Sequence, residues 1–380
     1  MALRVFALVT DAYGAGGGIA QYNRDFFSAL EACAHVDEIV VLARTGRLAT
    51  TEAPSKVKPL AIRHGRVAFS LQAIQAIRQA EPFDLIFCGH LFMAPLAALL
   101  SKISGVPIWL QLHGIEAWKA PGRFQQWAAL QSTLVTAVSR YTRRRFLSWS
   151  TTPPENVKVL PNTVEARFTP GAKSRNILDR YALNGKKVLL TVSRLASTER
   201  YKGHDRVIEA LADLHEDCPD IVYVVAGDGD DRPRLERIAT ASGVSDRVRF
   251  IGYVTDAELP DLYRAADVFV MPSSGEGFGI VFLQALASGV RTIGGNGDGS
   301  RDPLRDGQDG RLVPTDDTAA IAFAIRASIS DAKAPFATDF RNAFDRSNFL
   351  ALVAELMARF STSEFARVNT ETPTVSTSGT

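Results

Sequence analysis

The chain has 380 residues, of which 46% are hydrophobic and 22% are charged, and its formal net charge is +2. This length suits two domains that each bury a core, and the hydrophobic fraction is typical of a folded globular protein. The balanced charge argues against a nucleic-acid-binding protein. The three cysteines are scattered and lack the spacing of a zinc site or a disulfide framework.

Apolar runs rich in β-branched residues alternate with segments of helical period along most of the chain. This alternation predicts an α/β fold with parallel sheets that are covered by helices. The predicted strands are Val5–Thr10, Ile39–Ala43, Leu85–Cys88, Ile108–Leu112, Val135–Val138, Val157–Leu160, Val188–Val192, Ile221–Ala226, Val248–Ile251, Val268–Met271, Arg291–Gly294 and Arg311–Val313. The predicted helices are Ile19–Ala32, Phe69–Gln79, Arg140–Leu147, His204–His215, Arg232–Ala241, Asp256–Ala265, Ile280–Ser288 and Phe336–Phe360.

The sequence shows no expected targeting segment or membrane span. The N-terminus runs directly into Arg4–Thr10 without the basic segment and cleavage site of a signal peptide. The apolar runs, such as Leu96–Leu100, are too short to span a bilayer. A cytoplasmic protein is therefore expected.

The first predicted strand leads into a glycine-rich loop that contains Gly16, Gly17 and Gly18. Glycines between a strand and a helix let the backbone approach a ligand such as a phosphate. A dinucleotide-binding fingerprint is an alternative, although its third small residue is replaced by Ile19 and the second strand ends at Arg44 rather than at an acid. A tight turn without a ligand is a further alternative.

Polar residues follow several other strands at their carboxyl ends, where α/β sheets bind ligands. His113 follows Ile108–Leu112, and Arg194 and Lys202 follow Val188–Val192. Two cations in one short stretch match a diphosphate, and fixed cations can stabilise the charge that develops on a leaving diphosphate. Ordinary surface charge is the alternative for this pair.

The segment Ser273–Ala287 is the most informative part of the sequence. An apolar strand leads into a glycine-broken loop with Glu276, and an apolar helix begins near Gly279. The free amides of Gly279, Ile280 and the next residue carry partial positive charge and suit a phosphate. A carboxylate beside them can accept hydrogen bonds from sugar hydroxyls. The combination indicates a site for a nucleotide-sugar.

This segment resembles the E-x7-E signature of the retaining family-4 (group 1) glycosyltransferases of the GT-B fold. Glu276 stands at the first glutamate, and Gln284 replaces the second. The resemblance spans residues 1 to about 360 and implies two Rossmann-like domains whose parallel sheets face an interdomain cleft. It sets an acceptor-side domain at 1–165, a donor domain at 166–340 and a helix at 341–360 that crosses back to the first domain. Residues 361–380 have few large apolar side chains, which predicts a disordered tail.

The resemblance also implies roles for individual residues. His113 would contact the transferred sugar, and Arg194 and Lys202 would clamp the diphosphate. The residues that would bind the donor are Gly16, Gly17, Gly18, Gly227, Tyr253, Val254, Gly277, Phe278, Gly279, Ile280 and Gln284. The loop at 16–18 would lie near the phosphate, and Gly227 would line the nucleotide pocket. The backbone of Tyr253 and Val254 would contact the base, and Gln284 would contact the ribose.

One departure from the family pattern and one alternative interpretation bear on this picture. Gln284 keeps an acceptor oxygen but loses the charge of glutamate. Charged hydrogen bonds contribute roughly 1.5–3 kcal/mol against about 1 kcal/mol for neutral ones, so weaker nucleotide binding is expected with the chemistry retained. Asp228-x-Asp230 could form a metal site, but the family has a G-x-G here, so no metal ion and no cofactor are expected.

The implied reaction moves a hexose from a nucleotide-diphospho-sugar to a glycan or polyprenyl-diphosphate-linked acceptor with α-linkage, as in bacterial exopolysaccharide or lipopolysaccharide synthesis. GDP-mannose is the first candidate donor, and UDP-linked sugars are the second. A nucleotide-sugar epimerase on the same fold and a non-catalytic nucleotide-sugar sensor are the alternatives, the latter motivated by Gln284.

A basic segment indicates where the acceptor could be presented. Aromatic and apolar residues interleave with four arginines, Arg140, Arg143, Arg144 and Arg145. Such a helix suits reversible contact with an anionic membrane, on the inner face of the cell membrane. A solvated basic face whose apolar residues point into the first domain is the alternative.

Overall fold

In the computed structural model, the described residues are 3–14, 17–45, 53–79, 81–214, 218–331 and 338–361. The strands are β1 (Leu3–Val9), β2 (Val36–Ala43), β3 (Val57–Pro59), β4 (Leu85–Cys88), β5 (Ile108–Leu112), β6 (Leu134–Ala137), β7 (Val157–Val159), β8 (Lys187–Val192), β9 (Ile221–Ala226), β10 (Val248–Gly252), β11 (Val268–Met271), β12 (Arg291–Gly295) and β13 (Arg311–Val313). The helices are α1 (Gly18–Ala32), α2 (Arg66–Gln79), α3 (Ala94–Ser104), α4 (Arg123–Leu130), α5 (Arg140–Leu147), α6 (Arg175–Arg180), α7 (His204–Asp213), α8 (Arg232–Ala241), α9 (Leu259–Ala265), α10 (Ile280–Ala287), α11 (Thr318–Ser330), α12 (Thr338–Phe344) and α13 (Arg346–Ser361).

Two parallel sheets organise these elements. The seven-stranded sheet has the order β3-β2-β1-β4-β5-β6-β7, and the six-stranded sheet has the order β10-β9-β8-β11-β12-β13. The strand order reverses beside β1 in the first sheet and beside β8 in the second. Ligands of open α/β sheets bind at the carboxyl ends of the strands next to such a reversal. In the second sheet, β8 and β11 are the neighbours at the reversal. The segments that contain Lys202 and Glu276 leave the sheet from these two strands.

The predicted α/β class with two parallel sheets is confirmed. The arrangement of the two domains around a cleft stays a prediction. The described chain divides into one compact unit from residues 1–110, 127–134 and 350–380 and another from residues 111–126 and 135–349. In the first unit, Phe360 of α13 stacks on Trp109 with 6.0 Å between ring centroids. The predicted domain limits stay a prediction, and residues 362–380 of the predicted tail lie outside the described residues.

Each unit has its own core. In the first, Phe26 stacks on Phe87 at 4.2 Å and meets Trp109 edge-on at 5.1 Å between centroids. In the second, every residue of β9 is buried. Strands buried on both faces read as continuous apolar runs, which is why the sequence pattern located them.

All twelve predicted strands are present, whereas β3 was not predicted. It has only three residues and ends in a proline, so it leaves no apolar run, and it is held by pairing of Val57 with Ile39 of β2. The predicted helical segment Phe336–Phe360 is helical over most of its described residues, but it divides into α12 and α13 at Asp345. Residues 336 and 337 lie outside the described residues. Oδ1 of Asp345 accepts the backbone N–H of Asn348 at 2.8 Å. This cap begins α13 and ends the run of α12.

Candidate functional site

Glu276 lies in the loop between β11 and α10 and forms an ion pair with Lys202. Nζ of Lys202 donates to Oε1 of Glu276 at 2.9 Å, and each side chain is only 14% exposed. An ion pair this shielded is screened by water less than a surface pair. Gly279, with a φ of 84°, precedes the first residue of α10. The loops after β8 and β11 therefore bring two residues predicted as catalytic into direct contact.

Glu199 bridges both predicted diphosphate cations. Its Oε1 pairs with Nη2 of Arg194, and its Oε2 lies 3.6 Å from Nζ of Lys202. Burial lowers the pKa of Lys202, but the negative charge of Glu276 and Glu199 outweighs burial, and the pKa is raised. Lys202 is therefore charged at neutral pH. Arg194 is different, since 78% of its side chain is exposed.

The loop after β5 packs backbone to backbone against the Glu276 loop. A methyl group at Gly277 would overlap the carbonyl oxygen of His113, and one at Gly114 would lie 2.7 Å from Cα of Gly277. Only glycine permits this approach at both positions. The backbone N–H of His113 donates to Oε1 of Glu116 at 2.5 Å. His113 therefore lies beside the residue that follows Glu276, and its contact with the transferred sugar stays a prediction.

Asp298 is a residue of this site that was not among the predicted residues. Its side chain is fully buried, and Oδ2 accepts the backbone N–H of Glu276 at 2.6 Å. Burial raises the pKa of Asp298 to about 6. The family resemblance includes Gly295–Gly299 as a further loop near the predicted cleft, but it does not show which loop Asp298 contacts.

The segments after β8, β9 and β10 are held together by backbone hydrogen bonds. The N–H of Gly227 donates to the carbonyl oxygen of Gly252 at 2.7 Å. The N–H of Leu195 donates to the carbonyl oxygen of Asp228 at 2.9 Å. Val254 is buried, whereas the Tyr253 side chain projects from the surface with 78% exposed. The predicted nucleotide-pocket role of Gly227 and the base contacts of Tyr253 and Val254 stay predictions.

Phe278 and the glycine-rich loop complete the predicted residues. Phe278 is buried and meets Phe344 edge-on at 5.8 Å between centroids, and its contact with a donor stays a prediction. Gly17, which lies in the first unit, caps the start of α1, and its carbonyl oxygen accepts the N–H of Gln21 at 3.0 Å. Gly18 is the first residue of α1. Gly16 lies outside the described residues.

Both aspartates of the Asp-x-Asp stretch accept hydrogen bonds from the protein itself. Oδ1 of Asp228 accepts the N–H of Gly229 at 2.9 Å. Asp230 accepts the N–H of Ser197 at 2.8 Å and its hydroxyl at 2.5 Å. In the part of the chain that the structure describes, no group of three or more His, Cys, Asp or Glu side chains is arranged to hold a metal ion. The metal requirement stays untested by this geometry.

The arginines of α5 contact the chain itself. Arg140 pairs with Asp302 at 3.0 Å, Nε of Arg143 donates to the carbonyl oxygen of Val157 at 2.7 Å, and Arg145 donates to the carbonyl oxygen of Trp118. Arg144 is exposed and lies over the ring of Tyr141. Three of the four basic side chains thus serve the fold, and Arg144 remains the candidate for an external anionic surface.

Gln284 is buried on α10, and its side chain bonds to a neighbouring helix. Oε1 accepts the hydroxyl of Tyr263 at 2.9 Å. Tyr263 is itself fully buried between Phe168 and Phe269. The hydroxyl therefore fixes the amide of Gln284, and a glutamate at this position would keep the acceptor.

Replacing Gln284 by glutamate is expected to leave donor affinity unchanged or to raise it up to about fivefold, because a charged acceptor strengthens a hydrogen bond to ribose by roughly 1 kcal/mol. Tyr263→Phe removes the hydrogen bond that fixes Gln284 and should weaken donor binding about fivefold. Titration calorimetry with nucleotide-sugars measures both. A large loss of affinity in Gln284→Glu would show that Gln284 serves another partner.

No helix among the described residues is both long and apolar enough to cross a membrane. The family model for glycosyltransferase family 4 matches residues 16–168, and the model for glycosyl transferases group 1 matches residues 174–345. Together the two models account for most of the sequence.

Two curated relatives give the level of similarity. A GDP-mannose-dependent alpha-(1-6)-phosphatidylinositol monomannoside mannosyltransferase of Mycolicibacterium smegmatis is 36% identical over 207 residues, which are 52% of this chain and 53% of the relative. The alpha-D-kanosaminyltransferase of Streptomyces kanamyceticus is 28% identical over 254 residues, 61% of this chain and 64% of the relative. The chain thus spans about half the length of the mannosyltransferase that it matches.

Solved structures share the fold over nearly the whole chain. Anabaena HepE in complex with UDP superposes with a TM-score of 0.78 at 21% identity, covering 94% of this chain and 100% of HepE. Sucrose-phosphate synthase from Thermosynechococcus elongatus gives a TM-score of 0.79 at 19% identity, covering 94% and 99%. With two parallel α/β sheets and both family models matched, the chain belongs to the group 1, family 4 glycosyltransferases of the GT-B type.

Proposed function

We propose that the chain is a retaining glycosyltransferase that moves a hexose from a nucleotide-diphospho-sugar to an acceptor hydroxyl with α-linkage. The observation that carries the proposal is the shielded Lys202–Glu276 pair, which lies beside the first residues of α10. A bound diphosphate would accept hydrogen bonds from Lys202, Arg194 and the free amides at the start of α10. Glu276 would then exchange part of its contact with Lys202 for sugar hydroxyls.

In the proposed reaction, the bond between the anomeric carbon and the diphosphate oxygen breaks, and a bond to the acceptor oxygen forms on the same face of the sugar. The electron pair of the broken bond leaves with the nucleoside diphosphate, which takes up the proton of the acceptor hydroxyl. Lys202 and Arg194 stabilise the negative charge that grows on the diphosphate. Because these cations are fixed before the reaction, they act without reorganisation.

GDP-mannose is the proposed donor. The mycolicibacterial relative is GDP-mannose-dependent by name, which supports this choice. UDP-glucose is the second candidate, because HepE is known in complex with it. The proposed acceptor is a hydroxyl of a glycan or of a polyprenyl-diphosphate-linked glycan in bacterial surface polysaccharide synthesis.

A donor panel tests this function. Purified protein is incubated with GDP-mannose, UDP-glucose or other nucleotide-sugars and with glycan acceptors, and the anomeric configuration of the product is read by NMR. The expected product from GDP-mannose is an α-mannoside. An epimerised free donor would replace the proposal with an epimerase, and donor binding without any product would replace it with a sensor.

Transfer is expected to persist in excess EDTA, because Lys202 and Arg194 supply the positive charge that a metal ion would provide. The measurement compares the initial rate in EDTA with the rate in Mg²⁺ or Mn²⁺. Asp228→Ala is the matched variant, and its rate should resemble that of the wild type under both conditions. A rate that strictly requires Mg²⁺ or Mn²⁺ and that is lost in Asp228→Ala would instead favour a metal site at Asp228.

Peripheral contact with the inner face of the cell membrane is the remaining part of the proposal. Sedimentation with vesicles should show binding that needs anionic lipid and weakens with salt. Arg144→Ser should weaken it about fivefold, the loss of roughly 1 kcal/mol for one basic residue at the surface. Arg237→Ser, an exposed arginine on α8, is the control. Equal losses in both variants, or no binding, would contradict the contact.

A further inference from the structure

We propose that Asp298 is a positioning residue that sets Glu276 for sugar transfer by holding the backbone of the Glu276 loop with a buried carboxylate. This inference rests on the proposed function. Oδ2 of Asp298 accepts the N–H of Glu276 at 2.6 Å, and Oδ1 accepts the N–H of Ser300 at 2.9 Å. The two oxygens thus join the loop after β11 to the segment after β12.

The neighbouring residue, Gly299, holds the other backbone polar group of Glu276. The N–H of Gly299 donates to the carbonyl oxygen of Glu276 at 2.9 Å. A methyl group at Gly299 would overlap the carbonyl oxygen of Gly277, so the two segments are in direct backbone contact. Asp298 and Gly299 therefore fix both backbone polar groups of Glu276, which determines the direction in which its side chain leaves the loop.

Only a carboxylate satisfies this arrangement. Each of its two oxygens accepts one N–H, whereas asparagine has one acceptor oxygen and would present an NH₂ group to the second N–H. The arrangement is costly, because a carboxylate is buried near a second one. Burial is the main cause that raises the pKa of Asp298 to about 6, and the charge of Glu276 adds to it. Asparagine would avoid that cost, but it would leave one of the two N–H groups without an acceptor.

The other charged groups nearby are paired away from Asp298. Arg301 pairs with Asp306 at 3.0 Å, and Asp302 pairs with Arg140 at 3.0 Å. The charge of Glu276 also acts on Asp298, and Lys202 pairs with Glu276 at 2.9 Å. Protonation of Asp298 turns one acceptor oxygen into a donor and releases one of the two N–H groups.

Lowering the pH should therefore decrease turnover and increase the stability of the wild type relative to Asp298→Asn. The pKa of Asp298 in the folded chain lies above its usual value of 3.8. Such a group stabilises the fold below its unfolded pKa, and this stabilisation is lost as pH rises through about 6. From pH 7 to pH 5, the wild type should thus gain stability relative to Asp298→Asn while its turnover falls. A residue with a purely structural role would not produce this opposition.

The test compares the wild type, Asp298→Asn and the matched control Asp306→Asn, which also removes an aspartate charge next to this segment. Asp298→Asn should lower kcat about 10- to 100-fold, the cost of a misplaced group, with a smaller change in the donor KM. The kcat of the wild type should fall on acidification through about pH 6, the pKa of Asp298, and the variant should lose this dependence. Asp306→Asn should retain near-wild-type kcat.

Hydrogen exchange gives a readout that does not depend on turnover. Peptides covering residues 274–279 should exchange faster in Asp298→Asn than in the wild type, with each protein measured at the same interval below its own unfolding temperature. Unchanged hydrogen exchange and unchanged kcat in Asp298→Asn would overturn the positioning role. It would also be overturned if the decrease in kcat were fully explained by a smaller fraction of folded protein. If the wild type transfers no sugar, the proposed function fails, while hydrogen exchange still decides whether Asp298 holds the loop.

Discussion

Replacing Glu276 by alanine is expected to reduce sugar transfer by about 10³-fold or more, the upper range for losing one preorganised polar partner. The carboxylate is placed by Lys202 and by the backbone contacts of its own loop. In the variant, the sugar hydroxyls lose their acceptor, and Lys202 keeps Glu199 as its remaining carboxylate partner. Turnover with the donor identified by the panel measures the effect.

The fold should remain intact in Glu276→Ala, because the side chain lies in a loop and contributes little to the core. Circular dichroism and thermal unfolding check this. Glu276→Gln separates charge from shape and should retain more activity than alanine. Glu258→Ala is the control, since it removes a glutamate that pairs with Arg180 elsewhere in the same unit. Near-wild-type turnover in Glu276→Ala would contradict the assigned role.

Lys202→Ala and Arg194→Ala should each cost about 2–4 kcal/mol of transition-state stabilisation, which corresponds to about 30- to 1,000-fold in rate. Lys202 is the more shielded cation and contacts Glu276 directly, so the larger loss is expected there. The double variant should lose less than the sum, because both cations act on one diphosphate. Single-turnover rates at saturating donor measure these effects.

The loss of Lys202 also leaves Glu199 and Glu276 without a shared cation, which could lower the stability of the fold. The unfolding temperature of each variant is therefore measured together with its rate. Lys173→Ala is the matched control, because it breaks a similar partly buried ion pair with Asp267 at 2.9 Å. Lys202→Arg keeps the charge and should recover part of the rate. A wild-type rate in either single variant would exclude that residue from the diphosphate clamp.

Much of the second sheet and its site could be predicted because the signals are local. β9 and β11 are buried throughout, so their apolar runs are continuous. Glu276 follows β11 and Lys202 follows β8, which pairs with β11, and the carboxyl ends of neighbouring strands meet at one edge. Their contact at 2.9 Å is the outcome that this reasoning anticipates.

The remaining features depend on contacts between segments distant in sequence. Asp298 meets the N–H of Glu276 across 22 positions, and Tyr263 meets Gln284 across 21. No periodicity specifies which polar groups face one another across such loops. The arginines of α5 illustrate the same limit, because their spacing suggests an external face, while Arg143 donates to backbone carbonyl oxygens of its own chain.

The unequal shielding of the two cations is expected to make part of the proposed donor affinity sensitive to ionic strength. Exposed charges are screened beyond about 8 Å at physiological salt, whereas shielded pairs are affected much less. Arg194, with 78% of its side chain exposed, falls in the first class, and Lys202, with 14% exposed, falls in the second. Raising the salt concentration should therefore remove the long-range attraction of Arg194 for the diphosphate first and leave the short-range contact with Lys202 to hold the donor.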